Sequence, residues 1–295
     1  MHRLGTKVPH LIHEACGTAP SRASGQHYGV AMREGVRVRR GSGRLGSTVT
    51  VSVAALAVLV IPSGAGASAA PVEAPTPAHW WQAGGSANDT PGPGIGPDNG
   101  TLEGAGFAPG PSGAEQAFNF GGGGQQVVFN RVGGNRGTGA FTFAFDVKMT
   151  ATPQQAVWEK RMACNTNGTP FWGFRMNGSG TLAGSIDFEY GTYPTSGYAA
   201  TSTTSVDDGA WHQVAVTRHG VTVNLYIDGT LEATVNSPAT ANVNNSAQLR
   251  AGVSTCDGVD GTHSFTGELA ELMIFRSALT ESQIQALGMS QGLTG

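Results

Sequence analysis

Seven residues, Phe141-Thr142-Phe143-Ala144-Phe145-Asp146-Val147, constrain this chain more than any other run of that length. Apolar side chains recur at every second position, the period of an extended strand. Three phenylalanines and Val147 therefore share one face, and Thr142, Ala144 and Asp146 share the other. An aromatic face of this kind needs a second apolar layer to cover it. Further runs at 156–162, 171–176, 182–190, 211–218, 221–227, 247–253 and 268–275 are read as strands that supply that layer. Turn chemistry separates them: Asn177-Gly178-Ser179-Gly180, His219-Gly220 and Asp228-Gly229 tolerate the positive φ that tight hairpins require. With 13% charged residues and 45 glycines, the composition suits many strands joined by turns. One helix is expected near the end, where Thr280 and Gln283 form a capping box, Ile284 and Leu287 give an apolar stripe, and Gly288 ends it. The fold class predicted is all-β, a two-sheet antiparallel sandwich with a short C-terminal helix.

The N-terminal third reads differently. Arg33, Arg37, Arg39, Arg40 and Arg44 precede an uncharged run at 49–61 and then small residues through Ala70, the order of a secretory signal peptide over 32–69. Residues 49–61 fall short of the roughly 18–20 apolar residues that cross a bilayer, so no stable membrane anchor is expected in the mature form. Cleavage after the A-x-A ending at Ala69 makes Ala70 the first mature residue. Residues 1–31, with Cys16, are read as an over-extended gene start or a disordered leader. A Pro/Ala linker at 70–78 leads to a single domain over 79–290. The predicted location is extracellular.

Past residue 69, nine Lys and Arg stand against 18 Asp and Glu, a formal charge of −9. That charge argues against nucleic acid as a partner and suits calcium or a neutral ligand such as a glycan. Cys164 and Cys256 are expected to pair in an oxidising exterior, for about 4–5 kcal/mol on the chain-entropy model; two buried thiols are the other reading.

The segment Asp208-Gly209-Ala210-Trp211-His212-Gln213-Val214-Ala215-Val216-Thr217-Arg218, followed by Asn224-Leu225-Tyr226-Ile227-Asp228-Gly229, resembles the laminin-G-like jelly-roll family of the concanavalin-A-like lectin and glucanase superfamily. Phe265 to Phe275 with Ala278-Leu279-Thr280 is similar to that family's closing strand, and Ala117-Phe118-Asn119-Phe120-Gly121 with Val127-Val128 is similar to its opening one. The resemblance implies a jelly-roll sandwich. The matching motif is itself architectural: Val214, Val216, Val223, Leu225 and Ile227 alternate inward, Trp211 anchors them, and His212 is expected to hydrogen-bond.

The same resemblance sharpens the chemistry. Laminarinase-type hydrolases of this fold carry E-I-D-x-E on a strand, where Ser185-Ile186-Asp187-Phe188-Glu189 stands here. Ser185 replaces the nucleophilic carboxylate, which removes the covalent step of a retaining glycosidase. Asp187 and Glu189 are then part of a polar sheet face, with Glu159, Arg161 and Arg175 as a solvated charge cluster. Other catalytic motifs are missing from the sequence, and the 121–124 glycine run lacks the residues of a phosphate cradle. The family often carries calcium. Asp89 and Asp98 are the first candidates for it and Asp257 and Asp260 the second, although Ala270 stands where many relatives have Asp. Tyr193 and Tyr198, in a polar loop, offer stacking faces for sugar, with Asp187, Glu189 and Arg175 as polar contacts; Trp172 is assigned to the core. The expected function is a secreted, non-catalytic, lectin-like module recognising carbohydrate or a cell-surface polymer. The alternatives are a degenerate or atypical laminarinase-type hydrolase and a protein-binding adhesion or scaffold domain.

Overall fold

In the computed structural model, which describes residues 72–290 apart from 114, 131–132, 151–152, 179–180 and 194–195, the alternating phenylalanine run lies in a ten-residue strand. The leader and signal segments expected over 1–31 and 32–69, and Ala70, lie outside the described residues. In chain order the strands are β1 (His79–Trp81), β2 (Thr101–Glu103), β3 (Gly106–Pro109), β4 (Gln116–Gly121), β5 (Gln126–Val128), β6 (Phe141–Thr150), β7 (Gln155–Arg161) and β8 (Pro170–Met176). They continue with β9 (Ile186–Thr192), β10 (Ser196–Thr201), β11 (Asp208–His219), β12 (Thr222–Ile227), β13 (Thr230–Asn236), β14 (Arg250–Ala251), β15 (His263–Ser264) and β16 (Thr266–Phe275), and helix α1 (Glu281–Ser290) follows.

These strands form two sheets. The first runs β13-β12-β11-β6-β16-β4-β3, with β1 added on β16; the second runs β10-β9-β8-β7-β14-β5-β2, with β15 on β7. Every pairing is antiparallel except the two-residue contact of β15 with β7. The architecture is thus the expected all-β sandwich with one short helix. Among the described residues, no helix is long and apolar enough to cross a membrane.

Register explains the core. Phe143 pairs with Val216 and Phe145 with Val214, so both strands turn the same faces inward, and all four side chains are buried. From the second sheet Trp158, Trp172, Phe174 and Phe188 meet them. Trp158 is the hub: its ring lies 5.9 Å from Phe143, 5.9 Å from Phe145 and 5.4 Å from Trp172. The large apolar area of each aromatic makes this layer the main source of stability.

The opposite face of β6 is also buried, which its alternation alone does not reveal. Ala144, Ala215, Tyr226, Met273 and Phe275 form a second apolar layer under Leu279, Ile284 and Leu287 from the helix region. The capping box forms as expected, Thr280 N–H donating to Gln283 Oε1 (3.0 Å) and Gln283 N–H to Thr280 Oγ1 (3.3 Å). The helix continues past Gly288 to Ser290. Because α1 covers the outer side of the first sheet, the second sheet has the open outer face.

Other boundaries shift for local reasons. The run expected at 247–253 pairs only at Arg250–Ala251, since Gly252 takes φ +96°, and a Cβ there would stand 2.6 Å from both the Phe120 ring and the Gln125 carbonyl oxygen. The expected 182–190 strand begins at Ile186, after a loop in which Asn177 adopts φ +51°. Trp211 is half-buried at the end of β11 and does not join the core, whereas Asp228-Gly229 forms the two-residue turn between β12 and β13 with φ +49° and +75°. His212 hydrogen-bonds as expected, its Nδ1 2.8 Å from Asp228 Oδ2 and its Nε2 3.2 Å from Asp208 Oδ1.

Candidate functional site

Strands β7, β8, β9 and β10 lie side by side, and their pairing sets three rows across the outer face. One row is Arg161, Phe171, Gly191 and Gly197; the next is Glu159, Gly173, Glu189 and Ala199; in the third Arg175 pairs with Asp187 and Asp187 with Thr201. Small residues in the first two rows leave a trough between charged walls. At Gly173 a Cβ would stand 2.8 Å from that of Glu159, so only glycine fits. The resulting depression, about 300 Å³, is lined by Arg161, Phe171, Arg175, Glu189, Tyr193 and Asp260, among others.

The walls are tied together by ion pairs. Glu189 Oε2 lies 2.8 Å from Arg161 Nη2 and 3.2 Å from Arg175 Nε, and Arg175 Nη1 is 2.9 Å from Asp260 Oδ2. Arg161 also sits 3.9 Å over the Phe171 ring. Glu159, behind Arg161, accepts hydrogen bonds from Ser254 Oγ (2.8 Å) and Thr255 N–H (3.0 Å). The cluster was expected to be solvated, but Glu159, Arg161 and Arg175 are buried, because the 254–262 loop folds across them. The Cys164–Cys256 disulfide forms as expected and ties that loop to the segment following β7.

Burial governs the titration here. It raises the Glu159 carboxyl against the pull of Arg161. Asp187 is pushed up to about 7, by burial first and then by Glu189, with Arg175 opposing. For Asp260, burial is outweighed by hydrogen bonds from Thr262 and Arg175, and its carboxyl is lowered. Several polar atoms on this face are buried without a partner: Asp187 Oδ1, Thr255 Oγ1, and the Nε atoms of Arg161 and Arg175, which lie at ion-pair distance from glutamates yet make no hydrogen bond. Buried polar atoms left unpaired mark a place where water or ligand completes the set.

Of the residues singled out from sequence, Arg175, Glu189, Tyr193 and Tyr198 all line this depression. Tyr198 does so from the edge strand with its ring turned inward, 5.4 Å from Tyr190. Asp187 is covered: Gly178 stands so close that a Cβ there would lie 2.6 Å from Asp187 Oδ1. The Ser185, Asp187, Glu189 alternation does not form an open row either. Ser185 precedes β9 and its Oγ donates to the Leu182 carbonyl, so only Glu189 reaches the groove. Trp172 is fully buried, as expected. Sequence reading missed Phe171 and the glycines that hollow the trough. A glycine between Trp172 and Phe174 inside a strand was the available signal.

The calcium candidates form a different structure. Asp89 Oδ2 takes His79 Nδ1 (2.7 Å) and the Asp98 N–H (2.8 Å), and Oδ1 takes the Trp80 N–H (2.8 Å). Asp98 Oδ1 accepts the Asn130 N–H, and Oδ2 is buried against Gly133. Calcium takes six to eight oxygens. Among the described residues, these two aspartates pin the β1 segment to the loop after β5, and of their four oxygens Asp98 Oδ2 alone lacks a hydrogen-bond partner. Asp257 and Asp260 are likewise bound, to Ser264 and to Arg175 and Thr262. At the position expected to lack a ligand, Ala270 pairs with Asp146.

The laminin G-type profile of the concanavalin A-like lectin/glucanases superfamily matches residues 121–285, more than half of the chain. The chain belongs to this superfamily. No curated protein matches it in sequence. Among solved structures of the same jelly-roll shape is domain 4 of AbnA, an extracellular GH43 arabinanase from Geobacillus stearothermophilus, in complex with arabinotriose. It is 18% identical with a TM-score of 0.56, over 73% of this chain and 99% of that one. The binding domain of botulinum neurotoxin serotype G is 14% identical with a TM-score of 0.55, over 73% and 51%. A botulinum neurotoxin type C structure, from a toxin whose cell entry depends on two ganglioside molecules, is 14% identical with a TM-score of 0.54, over 72% and 50%. This superfamily member spans about half the length of those toxin domains.

Proposed function

We propose that the chain is an exported, non-catalytic, lectin-like module that binds carbohydrate in the groove on the outer face of the second sheet. The observation that carries this reading is the glycine-floored trough, where Glu189, Arg161 and Arg175 present hydrogen-bonding groups beside Tyr193, and where the Nε atoms of both arginines make no hydrogen bond. Sugar rings take such a mixture of apolar face and fixed polar contacts. The arabinotriose-bound domain and the ganglioside-dependent toxin support it as binding modules of this shape. Export is supported by the basic, apolar and small-residue order over 32–69, and the net charge of the mature chain disfavours nucleic acid.

Hydrolysis is disfavoured by the acids that share a guanidinium with Glu189. Both oxygens of Glu159 are held by Ser254 and Thr255, and Asp260 is held by Arg175 and Thr262, so neither is free to attack a sugar. A protein partner is the second reading. It is favoured by three exposed apolar residues on segments next to the groove: Met162, Leu182 and Val259.

A glycan array probed with the full-length chain, with and without chelator, tests the proposal. Binding that survives chelation and falls about fivefold in Tyr193→Ala is expected. A blank array, or turnover of β-glucans abolished by Glu189→Gln, overturns it.

A further inference from the structure

The two signs of charge in the groove are not equally accessible. The Arg161 and Arg175 side chains are each 5% exposed, whereas Glu189 is 27% and Asp260 24% exposed. An incoming molecule therefore meets carboxylate oxygens first, with the guanidiniums lying behind and already committed to them. Three carboxylates, Glu159, Glu189 and Asp260, surround two guanidiniums, and the two that reach the groove mouth are Glu189 and Asp260.

The rim is built from two unconnected parts of the chain. Glu189 comes from the middle of β9, whereas Asp260 comes from the loop before β15 and reaches the groove through Arg175 Nη1. Thr262 Oγ1 donates to Asp260 Oδ1 (2.6 Å), and the disulfide at Cys256 anchors the loop four residues earlier. These contacts fix Asp260 at the mouth. Its carboxylate lies against Arg175, Thr262 and the Cys164 sulfur, with one side open to solvent.

On the reading that this groove binds carbohydrate, we infer that Glu189 and Asp260 form an acceptor rim that selects neutral, hydroxyl-donating glycans and rejects glycans bearing a carboxylate, such as uronates and sialates. A sugar hydroxyl donates to the free lone pairs of the rim. A ligand carboxylate has no proton to give and is repelled. At separations near 4–6 Å the guanidiniums paired with the rim cancel most of that repulsion, and what remains, screened by water at the groove mouth, is on the order of a tenfold loss of affinity.

Matched oligosaccharide pairs test this, each pair identical except that one hexose is replaced by its uronic acid, titrated calorimetrically into the full-length chain. The neutral member of a pair should bind about tenfold more tightly. Asp260→Asn should narrow the gap between the two members to about threefold. Glu281→Gln, which removes the same charge on α1, should leave the gap unchanged. If Asp260→Asn proves unstable by thermal melt, the wild-type chain still decides the matter: raising salt from about 0.02 to about 0.5 M should strengthen acidic-glycan binding alone, because screening weakens repulsion. Equal binding of both members, or an acidic preference, overturns the rim alone. Binding of neither overturns the carbohydrate reading and the rim with it.

Discussion

Asp187→Asn should make the protein more stable above neutral pH and leave it unchanged in acid. Asp187 is 2% exposed, one of its oxygens has no partner, and its carboxyl titrates near 7 in the folded chain. In the unfolded chain an aspartate titrates near 3.9. The unfolded state therefore releases this proton first. Stability from this group is greatest below about pH 4, falls as pH rises between the two values, and levels off above about 7. Three pH units of difference correspond to about 4 kcal/mol. Asparagine has nearly the same shape, keeps an acceptor for the backbone at Gly178 and has no charge to desolvate. Urea denaturation of wild type and variant near pH 4 and pH 8 measures the effect. The variant should match wild type at the lower pH and exceed it by up to about 4 kcal/mol at the higher. Glu271, also raised to about 7, contributes equally to both proteins and cancels in the difference. An equal difference at both pH values, or a variant less stable than wild type at pH 8, would refute the assignment.

Other outcomes follow from the same structure. Trp158→Ala, which empties the centre of the aromatic layer, should cost about 3–5 kcal/mol in a urea titration. The His212 imidazole, raised above 6.5 by the Asp228 hydrogen bond against burial, should titrate above 6.5 by NMR and shift down in Asp228→Asn. Its contribution to stability should be full below that ordinary value and disappear as pH rises through the folded one. Chelation should leave the thermal midpoint unchanged, because three of the four carboxylate oxygens of Asp89 and Asp98 are held by protein donors; a fall in midpoint on adding EDTA would show a bound ion.

Much of the fold is legible in the sequence because strands announce themselves locally. Phe141 to Val147 alternates with period two, and Asp228-Gly229 can only turn. The second apolar layer was hidden, since Ala144 and Thr142 are small enough to read as a solvent face and only the helix, some 140 residues later, buries them. The groove was half legible. Asp187 and Glu189 share a strand and Arg175 lies on the next, so their proximity could be guessed from alternation. That Glu189 opens to solvent while Asp187 is sealed depends on Gly178, in the loop that carries the chain from β8 to β9. Asp260 was read as a calcium candidate because its Asp-Gly-rich context suits oxygen ligation. No local pattern links it to Arg175, 85 residues earlier in sequence, and only the disulfide-pinned loop brings the two together.

Where the sugar sits can be mapped by amide chemical shifts of the 15N-labelled full-length chain titrated with the neutral oligosaccharide that binds most tightly. Perturbations should concentrate at Arg161, Phe171, Gly173, Glu189, Gly191, Tyr193 and Ala199. Perturbations confined to the glycine run at 121–124 or to the helix face, or none at saturating sugar, would contradict a carbohydrate site on the second sheet.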